Sequence, residues 1–151
     1  MKFLRGRRLA CPYFIPREIV NDGSWPYPSR LPLGAGWSGT CGAGEENVEP
    51  APAQIREFCN LGYASACPRI PRSRDWDAVR FSIAGSNAEQ MTLRYACELG
   101  HAPAAHGTLT YDIQTGTCFD GHCDERIRRL AASYFLAYRV RCSGCCDPEN
   151  L

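Results

Sequence analysis

The chain has 151 residues, is 44% hydrophobic and carries 17 Lys and Arg against 16 Asp and Glu, a net charge of +1. A globule of that length buries roughly 70% of its unfolded surface without outside help, so cross-links are not needed simply to fold it. Near-neutrality removes any demand for a polyanionic partner, and no apolar run is long enough to span a bilayer.

The ten cysteines therefore require another reason. They are Cys11, Cys41, Cys59, Cys67, Cys97, Cys118, Cys123, Cys142, Cys145 and Cys146. At the N-terminus, Lys2, Arg5, Arg7 and Arg8 resemble the basic start of an export signal, but Pro12, Pro16 and then the charges of Arg17 and Glu18 interrupt the stretch after them. No continuous apolar segment exists there, and the expectation is a cytoplasmic protein. In a reducing compartment, spaced cysteines are more often metal ligands than cystines. Five disulfides or a set of core thiols are the competing readings.

Residues 1–72 hold nine of the eleven prolines and eight of the fourteen glycines, which predicts mostly turns and extended loop. Aromatic residues in this half (Tyr13, Phe14, Trp25, Tyr27, Trp37) argue against disorder. A metal clip would hold such a loop in one shape. Gly34-Ala-Gly36-Trp-Ser-Gly39 spells the dinucleotide-binding pattern, but it neither follows a strand pattern nor opens a helical one, and that reading is rejected. One helix is predicted over 52–61: Pro52 suits its first position, Gly62 suits the residue past its end, and Ile55, Phe58 and Cys59 share a face.

From residue 78 the texture changes. Val79, Phe81 and Ile83 alternate with polar residues; Met91, Leu93, Tyr95, Cys97 and Leu99 do likewise, as do Leu109, Tyr111 and Ile113. Turn-rich stretches at 84–90 and 100–106 join these into a three-stranded antiparallel meander, with Cys97 in the core. Residues 124–141 predict the longest helix, with an apolar stripe of Ile127, Leu130, Ala131, Tyr134, Phe135 and Tyr138. It would cover one face of the sheet. The predicted architecture is thus a single α+β domain: a loop-rich cysteine half (1–72), the meander plus helix (73–141), and a loose tail (142–151).

The predicted site is Cys11, Cys41, Cys59 and Cys67, because a four-ligand centre needs thiolates converging from different directions and loops deliver them. Cys11-Pro12 and Cys67-Pro68 are Cys-Pro pairs, in which proline biases the preceding residue toward an extended backbone. Gly39 and Gly42 around Cys41 allow the backbone close to a bulky core. Arg17, Arg30, Arg69, Arg72 and Arg74 are close enough in sequence to offset a negative cluster, and Trp37, Phe58 and Tyr63 are candidates to shield it. Zinc sites commonly include a tight C-x2–4-C pair, which this set lacks, so the expected cofactor is an iron–sulfur cluster of the [4Fe-4S] type, with zinc as the alternative.

A rival set, Cys118 and Cys123 with Cys142 and Cys145, fails if a helix of about 27 Å lies between its pairs. His101, His106 and His122 read as surface residues, and no catalytic set emerges. The expected function is a non-catalytic cluster-binding protein, acting in electron transfer or as an accessory subunit of a redox enzyme, with a protein as its electron donor or acceptor. The alternative is a zinc- or cluster-stabilised module that binds protein, or nucleic acid through Lys2, Arg5, Arg7, Arg8 and the last helix.

Overall fold

A computed structural model describes residues 9–119 and 124–144. Lys2, Arg5, Arg7, Arg8, His122, Cys123, Cys145 and Cys146, each given a reading from sequence, lie outside the described residues, as does most of the predicted loose tail.

Three short strands organise the proline-rich half: β1 (Leu9–Ala10), β2 (Phe14–Ile19) and β3 (Trp37–Cys41). β2 and β3 form an antiparallel ribbon running from Phe14 opposite Cys41 to Ile19 opposite Trp37. The register shifts between Pro16 and Glu18, so an irregularity adjoins the residue that has no N–H to donate. This ribbon departs from the expectation of mostly unpaired loop, because two breaker-rich segments can still pair where prolines fall at irregular positions. Two glycines of the rejected nucleotide pattern make close contacts, Gly39 within the ribbon and Gly36 just before it. A Cβ on Gly39 would stand 2.2 Å from the Ile15 carbonyl oxygen, and one on Gly36 would stand 2.0 Å from the Trp25 ring nitrogen.

The predicted helix begins at Pro52, as α1 (Pro52–Gln54), but it widens at once into a π-helical turn over Ile55–Asn60. Leu61 N–H reaches back to the Arg56 carbonyl, and Gly62, at φ +94°, ends the turn. The widening buries Cys59 and Asn60 side by side. The Asn60 amide then serves the backbone of β3: its Oδ1 accepts from Trp37 N–H at 2.8 Å, and its Nδ2 donates to the Trp37 carbonyl at 3.0 Å. Nδ2 also donates to the Ile55 carbonyl at 2.9 Å. A short 3₁₀ turn, Ala64–Ala66, leads to Cys67.

The strands β4 (Ala78–Ser86), β5 (Gln90–Leu99) and β6 (Ala102–Asp112) form the expected meander. The sheet has four strands, in the order β1-β4-β5-β6, because Leu9 and Ala10 pair with Arg80 and Val79. A two-residue strand carries no period that a sequence pattern can display. The second turn is tighter than predicted: Gly100 and His101 take φ of +61° and +68°, and pairing resumes at Ala102. His106 consequently lies within β6 opposite Ala96 and does not flank a turn.

The final helix, α2 (Glu125–Gly144), runs three residues beyond its predicted end and includes Cys142. Asp124 caps it by accepting from Arg126 N–H at 2.8 Å. Its predicted stripe is buried against the sheet from Ile127 to Phe135, with Tyr138 half-buried at its end; Phe81 meets Tyr134 at 5.7 Å and Tyr111 stacks on Phe135 at 4.4 Å. One continuous core joins Phe14, Leu33, Trp37 and Cys59 to this helix–sheet layer. At the start of α2, the Arg126 guanidinium lies over the Trp76 and Tyr13 rings and pairs with Asp124 and Asp75, fastening the helix to the first half.

Replacing Asn60 by Ala strands three backbone groups around Trp37 and Ile55. Allowing about 1–3 kcal/mol for each buried unsatisfied group, and partial relaxation, Asn60→Ala is expected to cost about 3 kcal/mol in urea unfolding with an unchanged m-value. A loss below about 1 kcal/mol would mean that this amide does not hold the turn to β3.

Candidate metal centre

Each of the four predicted cysteines is delivered by a different piece of backbone. Cys11 follows β1, in a tight turn where Phe14 N–H bonds the Cys11 carbonyl. Cys41 ends β3 and is held on both sides, opposite Phe14 and in a two-way backbone bridge with Val48. Cys59 lies in the π turn. Cys67 leaves the 3₁₀ turn with φ −71° and ψ 130°, the extended conformation expected of a residue before proline.

All four thiols line one cavity, together with Tyr13, Phe14, Pro50, Phe58, Arg69 and Ile70. The walls between the sulfurs are almost wholly apolar. Cys41 and Cys59 are buried; Cys11 and Cys67 are half-buried. All four are thiols outside any disulfide.

Three of the sulfurs accept hydrogen bonds. Tyr13 N–H donates to Cys11 Sγ at 3.4 Å, Arg69 N–H to Cys67 Sγ at 3.4 Å, and the Arg69 Nε–H to Cys41 Sγ at 3.5 Å. The first and second are i+2 contacts across a Cys-Pro step, so proline fixes the turn that aims the next N–H back at the sulfur. Such donors favour a thiolate. Burial acts the other way. It pushes the Cys11 thiol up to about 11, and the nearby Cys41 and Cys67 add to the rise. Burial pushes Cys59 further, to about 12, with Cys11, Cys41 and Cys67 contributing after it. Four thiolates cannot coexist here without a cation between them, whereas neutral thiols can.

The donor set suits a soft metal centre: four sulfurs, no carboxylate in the lining, where Gln54 supplies the one side-chain amide, and N–H groups already turned toward sulfur. Among the described residues, no three His, Cys, Asp or Glu side chains are grouped closely enough to hold a metal ion.

Other expectations divide. Of the five arginines, only Arg69 reaches the thiols; Arg74 is paired with Asp77, and Arg30 stacks on Tyr27. Phe58 lines the cavity, but Trp37 faces a neighbouring groove and Tyr63 is 38% exposed beside His101. Tyr13, Phe14 and Ile70 are lining residues that sequence reasoning did not assign to the site, and β2, with its sequence Phe-Ile-Pro-Arg-Glu-Ile, has no alternating pattern that would have marked Phe14. Cys97 is in the core, as expected. Of the rival set, Cys123 and Cys145 lie outside the described residues, and the helix on which the argument against it turned, α2, is continuous over 20 residues, about 30 Å.

The chain matches no protein-family profile, no characterised protein and no solved structure. Among the described residues no helix is long and apolar enough to cross a membrane.

The raised thiols give the metal-free protein a defined alkaline behaviour. Cys11 and Cys59 hold their protons in the folded state above the ordinary thiol value of 9.0. The unfolded chain releases those protons first, so stability falls as pH rises from about 9 toward 11–12 and is unaffected by this pair below that window. Under reducing, chelator-treated conditions, thermal unfolding should show this loss. In Cys11→Ser/Cys59→Ser the alkaline slope should be reduced; an identical slope would mean the two thiols are not buried in this way.

Proposed function

We propose that the protein is a small iron–sulfur protein whose cluster, of the [4Fe-4S] type, is held by Cys11, Cys41, Cys59 and Cys67. It would serve in electron transfer or as an accessory subunit of a larger redox enzyme, with a protein as its electron donor or acceptor. The observation that carries this reading is the arrival of four unbridged thiols, from segments 56 residues apart at the extremes, at one apolar cavity with N–H donors turned toward three of the sulfurs.

A bound cluster would supply one-electron chemistry, and the chain's part is to set its potential. Phe14, Phe58, Ile70 and Pro50 exclude water from the sulfurs. Tyr13 and Arg69 supply the donors that stabilise negative charge there. The π turn agrees with this role, since such turns are frequent at functional sites. A zinc-held structural module that binds protein or nucleic acid is the second reading, placed after the cluster because the four cysteines include no tight C-x2–4-C pair. A cytoplasmic location is proposed with the cluster, because reduced thiols need a reducing compartment.

Anaerobic purification followed by a visible spectrum and analysis for iron, sulfide and zinc tests the assignment. A brown protein bleached by dithionite, with about four irons and four sulfides per chain, is expected. Cys41→Ser and Cys59→Ser should lose most of the colour, while Cys118→Ala and Cys142→Ala keep it. A colourless protein with one zinc, or one in which these thiols are found as two disulfides, would overturn the proposal.

A further inference from the structure

The thiol cavity is not equally closed on all sides. Cys11 lies between buried Ala10 and buried Pro12, and Cys59 is flanked by half-buried Phe58 and buried Asn60. Cys67, by contrast, is half-buried in a segment whose Ser65, Ala66, Pro68 and Arg69 are all exposed. The rim nearest solvent is therefore the Cys67-Pro68-Arg69 corner.

Arg69 gives that corner its charge. Its backbone N–H bonds the Cys67 sulfur, and its guanidinium crosses the mouth to bond the Cys41 sulfur. One exposed residue thus touches two of the four thiols from outside. The far end of the guanidinium reaches the opposite lip, 3.8 Å from where a Cβ on Gly44 would stand. Glu45 and Glu46 come next on that lip, exposed, and no ion pair joins either to Arg69. Over a Debye length of about 8 Å the nearest charge dominates, and at these sulfurs the nearest charge is positive.

The geometry points to the Cys67–Arg69 corner as the face at which this site meets its reaction partner, and to a partner that is negatively charged where it touches. Arg69 steers an anionic group, such as a carboxylate-bearing protein surface, toward the two sulfurs it bridges. The electron-transfer role of the corner rests on the iron–sulfur reading; the preference for anions does not, because it belongs to the Arg69 guanidinium, which lies against the thiols whether or not a cluster is held.

Two measurements separate these. In the reduced, metal-free protein, iodoacetate and iodoacetamide each alkylate a thiolate with loss of iodide, one as an anion and the other neutral. With peptide mapping, Cys67 should be the first of the four thiols modified, and its iodoacetate-to-iodoacetamide rate ratio should fall several-fold in Arg69→Gln and be retained in Arg69→Lys. In the iron-loaded protein, reduced with dithionite and freed of excess reagent, ferricyanide accepts one electron and becomes ferrocyanide. Its rate should decrease with added salt and fall several-fold in Arg69→Gln, while the rate with hexaammineruthenium(III), a cation, does not fall. Should Arg69→Gln fail to take up iron, the opposite salt dependences of the two oxidants in the unmodified protein decide the same point. An unchanged alkylation ratio, or equal salt dependence for both oxidants, overturns the inference. Normal alkylation selectivity in a protein that never takes up iron overturns the iron–sulfur reading and leaves the anion-facing corner standing.

Discussion

The arrangement depends on one buried amide. Asn60 spans the gap between a helical turn and a strand by bonding both backbone groups of Trp37, and it takes up the Ile55 carbonyl that the widened turn leaves available. Without that link, the loop-rich half has little to fix the angle at which the turn meets the β2–β3 ribbon. With it, Cys59 and Cys41 are carried by two rigidly joined elements, and the other two thiols come in on either side. The remaining fastenings act at a distance: Gly39 lets β2 and β3 approach, and Arg126 ties α2 to Tyr13.

Regular patterns made the second half of the chain readable. Period-two alternation identified β4, β5 and β6, and the apolar stripe identified α2, because these elements bury one face against a common core. Pro52 and Gly62 bracketed the short helix for reasons of backbone geometry alone. The four cysteines that line the cavity had been singled out through the Cys-Pro pairs and through the need to explain thiols in a loop. The features that escaped depend on contacts between residues remote in sequence. The widening of the helix at Ile55–Asn60 leaves no trace in side-chain periodicity over one turn, and Asn60 reads as an ordinary polar residue near a helix end. The pairing of β1 with β4 joins residues some seventy positions apart. Arg69 could be named only as one of five neighbouring arginines, since a sequence does not say which of them folds back over a sulfur.

Chemically, the cavity sets two opposed demands on the same atoms. Apolar walls raise the cost of ionising Cys11 and Cys59, while N–H donors at Cys11, Cys41 and Cys67 lower the cost of negative charge on sulfur. Cys59 has no such donor and is the more strongly protonated of the two shifted thiols. The four positions are consequently inequivalent: one sulfur is hidden and unassisted, and two others are bridged from solvent by a single arginine.

The short strand β1 has a consequence for how the protein can be taken apart. It is the piece of backbone immediately before Cys11, and its strand partner among the described residues, β4, lies beyond residue 72, where the composition changes. A fragment ending at that change would keep all four thiols yet lose the rail that positions the first of them. The sulfur-bearing segment is therefore no portable cassette: grafting it onto another scaffold would require bringing along an outer strand for Leu9 and Ala10 to grip.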